Sequence, residues 1–441
     1  MMESELLGRL SGYPHIVVSW LGDDGYPVQT PAAFGVDLES ATVHIKRTAV
    51  ALPIDRTVNI IASHIRPQPG IGYDQRRYIS LWGRLSVTAD GHDLHVERHW
   101  GWDENVTPFP EYVERSNPQA KRYLEELSRR RGTPIKPRLS PVWTFLVATR
   151  LPFLTATLVP VLLGISVAAR DGSFNLWLAI LTVIAAAAIH IGLNVANDVF
   201  DALSGADEAN VRPTQFSGGS RVIQRGLVSL GRMAAICAVA YAVGIALGIY
   251  LVIDTGSWEL LAIGAGGVFL SVFYTAPPLR LVHRGLGELT TALGFGPVMV
   301  LGAYVVQTGR LAWEPLIASV PVALLIALVL YVNEIPDRSP DAAVGKRTLP
   351  VRLSREAVVR GFLVVALAAF AVVVGGVATG ELPVYTLLAL LALPLVFQVY
   401  AGITRYYYSP YELMAVMGRN VQLHLATGLL LFAGYVLAVA V

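Results

Sequence analysis

From Trp143 to the C-terminus the chain alternates long apolar runs with short polar connections. Runs of roughly 18–25 residues are the length a helix needs to cross a bilayer core. About nine can be counted, at 145–169, 175–200, 231–253, 258–277, 288–308, 313–333, 358–378, 383–403 and 421–440. The first 140 residues follow another pattern. His15 to Trp20, Val28 to Phe34, Thr42 to Lys46, Val58 to His64 and Tyr78 to Thr88 read as short strands, the first two joined at Asp23-Asp24-Gly25-Tyr26-Pro27. Such a succession predicts a small antiparallel barrel. A charged amphipathic helix is expected from Glu111 to Arg131, followed by the basic linker Arg129 to Arg138. The pattern therefore predicts a multi-domain chain, with a soluble α+β domain over 1–140 and an all-α polytopic membrane bundle over 141–441.

Composition agrees with this division. Hydrophobic residues make up 54% of the 441 residues and charged ones 15%, and the mean hydropathy is +0.53, outside the range of soluble domains. The formal net charge of +2 gives no indication of a nucleic-acid partner. The single cysteine, Cys237, lies in an apolar run and excludes an intramolecular disulfide framework. Residues Met1 to Gly12 are polar and acidic, unlike a signal peptide, so the first domain is expected to stay in the cytosol.

Charge also orients the bundle. Connections after the even-numbered runs carry Arg212, Arg221, Arg225, Arg280, Arg284, Arg338, Lys346, Arg347, Arg352, Arg355, Arg405 and Arg419; the others carry only Arg170 and Arg310. The positive-inside rule puts the even-numbered connections in the cytoplasm, on the side of the first domain.

Two acidic clusters fall on that side. Asn194, Asp198 and Asp201 are spaced to share one helix face at the end of the second run, and Asp207 follows. Asn333, Asp337 and Asp341 repeat the arrangement after the sixth run. One aspartate at a helix end is an ordinary cap; two matched clusters of hard oxygen donors suit a pair of Mg²⁺ ions holding one polyanion. Lys346 and Arg347 add positive charge for terminal phosphate oxygens. The loop Ser217-Gly218-Gly219-Ser220-Arg221 lets backbone approach a ligand closely, with Ser220, Arg221 and Gln224 as candidate anion or second-substrate contacts. Mg²⁺ with cationic side chains suits diphosphate leaving an allylic carbon. A hydrocarbon substrate tail explains a site among membrane helices.

Residues 145 to 441 resemble the UbiA superfamily of intramembrane prenyltransferases, whose Asp-rich motifs follow the second and sixth helices. Asn197-Asp198-Val199-Phe200-Asp201, Gly218-Gly219-Ser220-Arg221-Val222-Ile223-Gln224, Leu286-Gly287-Glu288-Leu289 and Asp341-Ala342-Ala343-Val344-Gly345-Lys346-Arg347-Thr348-Leu349 are similar to its menaquinone branch. The resemblance implies transfer of a polyprenyl group from polyprenyl diphosphate to an aromatic quinol precursor, 1,4-dihydroxy-2-naphthoate, with loss of its carboxyl group. It implies Mg²⁺ at Asp198, Asp201, Asp207, Asp337 and Asp341, assisted by Asn194 and Asn333. It implies diphosphate contacts from Lys346, Arg347 and Arg150, and Tyr274 beside the acceptor. Arg150 read alone fits a snorkelling anchor, Tyr274 an interfacial belt, and His190 a packed intramembrane histidine. Another quinol precursor, a tetrapyrrole or a glycerol phosphate lipid stays open as acceptor. A transporter is the rival reading, disfavoured because the acidic clusters sit at helix ends rather than mid-membrane.

The first domain resembles the split-barrel flavin-binding domains of the pyridoxamine 5′-phosphate oxidase type, through Gly25-Tyr26-Pro27, His44-Ile45-Lys46-Arg47 and Tyr78 to Leu85. That resemblance implies FMN or a related flavin, its phosphate near Lys46, Arg47 and Arg56; a solvated strand edge explains the same cations equally well. The whole protein is expected in the cytoplasmic membrane as a multi-pass protein with its active site on the cytoplasmic side.

Overall fold

The computed structural model describes residues 2–24, 26–40, 42–67, 73–137, 139–210, 212–214 and 216–440. Gly25 of the expected hairpin turn and Arg138 of the basic linker lie outside them. The chain divides into two compact units, 1–116 and 117–441.

The first unit opens with helix α1 (Met2–Leu10) and continues as β1 (Ile16–Leu21), β2 (Pro27–Ala32), β3 (Phe34–Asp37), β4 (Thr42–Lys46), β5 (Val58–Pro67), β6 (Tyr73–Val87) and β7 (Gly91–Asp103). All neighbours pair antiparallel in the order β2-β1-β5-β6-β7-β4-β3. The two edge strands, β2 and β3, are joined through Ala33 alone, so the sheet must curl until its edges nearly meet. Alternation does the packing: Ile16 and Val18, Val43 and Ile45, Val58, Ile60 and Ala62, and Ile79 and Leu81 point inward, with Leu7 and Leu10 of α1 over them.

Sequence reading missed α1, β3 and β7. Strand β7 carries His92, Asp93, His95, Glu97, Arg98 and His99 among its apolar positions, which hides its alternation although it pairs with β6 from Arg77↔Asp103 to Val87↔His92. The expected return strand 28–34 ends earlier, at Ala32.

The unit boundary falls within α2 (Phe109–Arg131). The second unit continues through α3 (Pro141–Ala148), α4 (Thr155–Arg170), α5 (Leu176–Ser204), α6 (Ala206–Ala209), α7 (Leu230–Thr255), α8 (Trp258–Phe273) and α9 (Gly287–Leu293). A π turn at Gly294–Val298 containing Pro297 leads into α10 (Met299–Thr308), the expected effect of proline removing a helical donor. Then follow α11 (Trp313–Asn333), α12 (Arg338–Ala343), α13 (Leu349–Arg352), α14 (Arg355–Ala378), α15 (Leu393–Tyr406) and α16 (Pro410–Ala440).

Each expected apolar run contains a helix. Among the described residues, seven helical segments are long and apolar enough to cross a membrane, and α4 and α8 are shorter apolar helices. The first run, 145–169, is not one helix: α3 ends at Ala148 and Arg150 adopts a left-handed φ of 51° before α4 starts at Thr155. Helix α16 starts eleven residues before the expected 421, at Pro410.

Helix α11 is the axis of the bundle. Its most apolar window is 72% buried, against 11% for α7. Glycines let its neighbours close in: a Cβ on Gly296 would lie 2.3 Å from that of Ala323 on α11, and one on Gly164 of α4 would lie 2.3 Å from the Val300 carbonyl oxygen of α10. Between apolar helices in lipid, close packing of this kind replaces the hydrophobic effect as the main attraction.

Candidate active site

The second acidic cluster begins where α11 runs out, and the first sits on the last turns of α5, which Gly205 terminates at φ 78°. Asp198, Asp201 and Asp207 are all buried, as is Asp341. Asn194, Asn197, Asp201, Asp207, Asn333, Asp337, Asp341 and Lys346 line one polar cavity of about 190 Å³. The two motifs, more than 130 residues apart in sequence, thus meet in one place.

The glycine loop clasps both motifs. The Gly218 amide donates to Asp337 Oδ2 at 3.2 Å, and the Ser220 amide to both Asp198 carboxylate oxygens at 3.3 Å. Gly218 and Gly219 have φ of 77° and 75°, and a Cβ on Gly219 would lie 2.8 Å from Asp207 Oδ1. Only glycine fits such a backbone at such a distance.

Several expected contacts have other duties. Arg221 is buried, its guanidinium donating to the carbonyl oxygens of Asp207 and Asn210. Gln224 Nε2 donates to Asp207 Oδ2 at 3.1 Å and to Glu208 Oε1 at 3.2 Å. These two side chains brace the loop rather than line the cavity, and Ser220 acts through its backbone. Lys346 enters the cavity, 3.5 Å from Asp341 Oδ1. Arg347 is exposed, its amide donating to the His283 carbonyl. Arg150 lines the cavity and forms an ion pair with Asp198, which is set behind it. Tyr274 lines the cavity, while Asn194 Nδ2 donates to the Thr149 carbonyl at 3.5 Å. His190 is packed, as expected, bonded to Thr157 Oγ1 at 2.6 Å and set edge-on to Phe295.

Sequence reading passed over Asn197 and Asn210. Asn197 Nδ2 donates to Asp201 Oδ2 at 2.9 Å, and Asn210 Nδ2 to Asp337 Oδ1 at 2.9 Å. The spacing of Asn197 four residues before Asp201 was a usable signal; a lone asparagine in a loop, as Asn210 is, carries none.

Burial and mutual repulsion raise the carboxyl pKa values at the helix ends. Asp207 is pushed up to about 8 by burial and by Asp201 and Asp198, and Asp337 to about 7 by burial and Asp341. Asp341 rises to about 6 through burial, held down by Lys346. Burial opposes the Lys346 charge, but Asp201, Asp341 and Glu334 more than offset it and keep the ammonium protonated.

The donor set fits a hard cation. Asp201 Oδ1, Asp341 Oδ2 and Asn333 Oδ1 are buried oxygens without a hydrogen-bond partner, and a buried carboxylate left this way is costly. Among the described residues no three His, Cys, Asp or Glu side chains form a closed metal cage. An open set of carboxylates, completed by water and phosphate oxygens, is the usual manner of binding Mg²⁺. The polar cavity shares His190, Leu193, Tyr274, Thr291 and Phe295 with an apolar cavity of about 630 Å³ among α5, α7, α8 and α10. One end can take a polyanion and the other a hydrocarbon.

In the first unit the candidate flavin contacts do not share a partner. Arg56 pairs with Asp23 and Asp55, Arg47 donates to the Ala89 carbonyl at 3.0 Å, and Lys46 is exposed.

Comparison with known proteins agrees with this geometry. The sequence profile of the UbiA prenyltransferase family matches residues 157–439. The 2-carboxy-1,4-naphthoquinone phytyltransferase of Synechocystis sp. is 28% identical over 308 residues, 69% of this chain and 97% of the relative. The 1,4-dihydroxy-2-naphthoate octaprenyltransferase of Bacillus subtilis is 28% identical over 294 residues, 66% of this chain and 91% of the relative. That of Mycobacterium tuberculosis is 32% identical over 196 residues, 44% of this chain and 65% of the relative. The apo structure of a UbiA homolog from Aeropyrum pernix K1 aligns with 65% of this chain and 98% of its own, at 20% identity and a TM-score of 0.48. With paired aspartate motifs around one cavity and a profile match over most of its length, the chain belongs to the UbiA prenyltransferase family, as a multi-pass membrane protein.

Proposed function

We propose that the protein transfers a polyprenyl group from polyprenyl diphosphate to 1,4-dihydroxy-2-naphthoate, a step of menaquinone biosynthesis, with Mg²⁺ as cofactor. The observation that carries this reading is the meeting of both aspartate motifs, with unpartnered oxygens, at a polar cavity continuous with an apolar one. Asp201, Asp207, Asp337 and Asp341 would hold Mg²⁺, with Asp198 joining once Arg150 releases it and Asn194 and Asn333 assisting. Mg²⁺ held by these residues would supply charge to screen the diphosphate and to stabilise the charge it gains on leaving. Lys346 and Arg150, which line the cavity, would meet phosphate oxygens directly, and Arg347, which is exposed, would add positive charge for the diphosphate. The apolar cavity takes the isoprenoid and excludes water from the allylic centre. Tyr274, on the boundary of both cavities, flanks the aromatic acceptor. The relatives' naphthoate substrates are the ground for choosing this acceptor.

The same reading sets nine spans in the cytoplasmic membrane, with both motifs and a domain of 1–140 on the cytoplasmic side of a 141–441 membrane domain. The curled sheet supports a split barrel. A flavin has weaker support, since Arg56 is already neutralised by Asp23 and Asp55; a yellow chromophore after reconstitution with FMN would establish it.

The test is an assay in membranes with polyprenyl diphosphate, Mg²⁺ and 1,4-dihydroxy-2-naphthoate. Prenylated product is expected, and Asp201→Asn or Asp337→Asn should lower kcat/KM at least ~100-fold while the protein still inserts. Unchanged activity in either variant would remove the metal-site argument; product from another acceptor alone would change the substrate.

A further inference from the structure

A second acidic pair adjoins the cavity: Glu334, which lies between the motif positions Asn333 and Asp337, and Glu288, which lies outside both motifs. Glu334 caps α11 and Glu288 lies in the first turn of α9. Their relative exposures are 5% and 8%, and the two carboxyl groups are close enough to interact directly. Gly287 lies beside the pair, where a Cβ would be in ordinary contact with Glu334 Oε1 at 3.6 Å. Apart from a proton that the two carboxyl groups can share and the Glu288 backbone amide, neither Glu288 oxygen nor Glu334 Oε2 has a hydrogen-bond partner among the described residues. Glu334 lines the polar cavity together with Tyr274 and Lys346.

Even with one proton shared between them, two buried carboxyl groups are expensive, and a packing role would be better served by apolar or amide side chains. The vacant acceptor oxygens call for a ligand that brings hydroxyl donors. The diphosphate brings none, whereas a dihydroxylated aromatic ring brings two. Lys346 lies in the electrostatic field of Asp201 and Asp341 and also of Glu334 and Tyr274.

We propose that Glu334, positioned by Glu288, is the acceptor-binding residue: it accepts a hydrogen bond from the ring hydroxyl remote from the acceptor's carboxylate and repels that carboxylate, so fixing which edge of the ring faces the prenyl group. This rests on the aromatic-acceptor reading above. It makes Glu334 a specificity residue and Glu288 a positioning residue.

The test uses the full-length protein in membranes. In the wild type, 1-hydroxy-2-naphthoate, which lacks the remote hydroxyl, is measured as a competitive inhibitor against 1,4-dihydroxy-2-naphthoate, so that ring reactivity does not enter. Its Ki is expected to exceed the Kd of the full acceptor by ~10- to 100-fold, the worth of a hydrogen bond to a charged group. Glu334→Gln and Glu288→Gln should each raise the acceptor KM ~10-fold and shrink that discrimination to below ~3-fold. The KM for polyprenyl diphosphate and the Mg²⁺ half-saturation should stay within ~2-fold of wild type. Equal wild-type affinity for the two naphthoates overturns the inference, whether or not the variants insert. So does a parallel rise in the diphosphate KM or Mg²⁺ requirement, which would assign the pair to the other substrate. Absence of any wild-type turnover with the naphthoate is a different result and overturns the acceptor reading itself.

Discussion

At the scale of single residues, the site is a set of carboxylates kept close together against their repulsion. Asp207, Asp337 and Asp341 have pKa values raised to about 8, 7 and 6, so a divalent cation bound there would compete with protons. Because each pKa is raised, protonation competes with the metal at and below neutral pH. Mg²⁺ affinity should therefore increase from pH 6 to pH 8, with proton release on binding that calorimetry in buffers of different ionisation enthalpy can count. A pH-independent affinity over that window would contradict the burial of these groups. Gly219→Ala tests the loop that clasps them. Its Cβ would meet Asp207 Oδ1 at 2.8 Å on a backbone with φ 75°, a conformation costing a non-glycine residue about 1 kcal/mol before the contact is relieved. The variant should raise the Mg²⁺ half-saturation of prenyl transfer roughly 5- to 10-fold, read by activity against Mg²⁺ concentration.

Elements show what the sequence could and could not disclose. Asp198 and Asp201, or Asp337 and Asp341, are legible because helix periodicity puts residues three or four apart on one face. The meeting of the two motifs is expected from their matched donors, but the packing of α5 and α11 that brings it about is not legible, nor is the contact of Asn210 with Asp337. Apolar runs locate helices well, but the break at Arg150 escapes notice because Phe145 to Leu154 stays apolar on both sides of it. In the first unit, β4 is found at its observed bounds through plain alternation, whereas the charged and histidine-rich face of β7 conceals it. Close helix packing also generates a prediction. Gly164→Leu adds a branched side chain where a single Cβ would already lie 2.3 Å from a carbonyl oxygen of α10. Overpacking of this kind costs about 1–3 kcal/mol, so the variant should lose several degrees of thermal stability in detergent while a Gly231→Leu control, with open space around its Cβ, changes little.

Over the whole molecule, charge is divided between the two ends of the bundle more sharply than a residue count suggests. Arg170 and Arg310, the cations on the sparse connections, are ion-paired to Glu314 and Asp171. On the opposite connections lie Arg347, exposed, and Lys346, whose charge is held by the cavity carboxylates Asp201 and Asp341. Cytoplasmic retention of Lys and Arg would put both motifs on the inner face. Cysteine labelling can decide it, since the one native cysteine, Cys237, is readily removed as Cys237→Ala. In that background Ala343→Cys marks the exposed surface of α12 beside the second motif, and Glu381→Cys marks the exposed connection between α14 and α15. An impermeant maleimide added to intact cells should label Glu381→Cys and leave Ala343→Cys unmodified until the membrane is opened. The reverse pattern would turn the bundle over, moving the diphosphate site to the outer face and away from any soluble pool of naphthoate or magnesium–diphosphate in the cytoplasm.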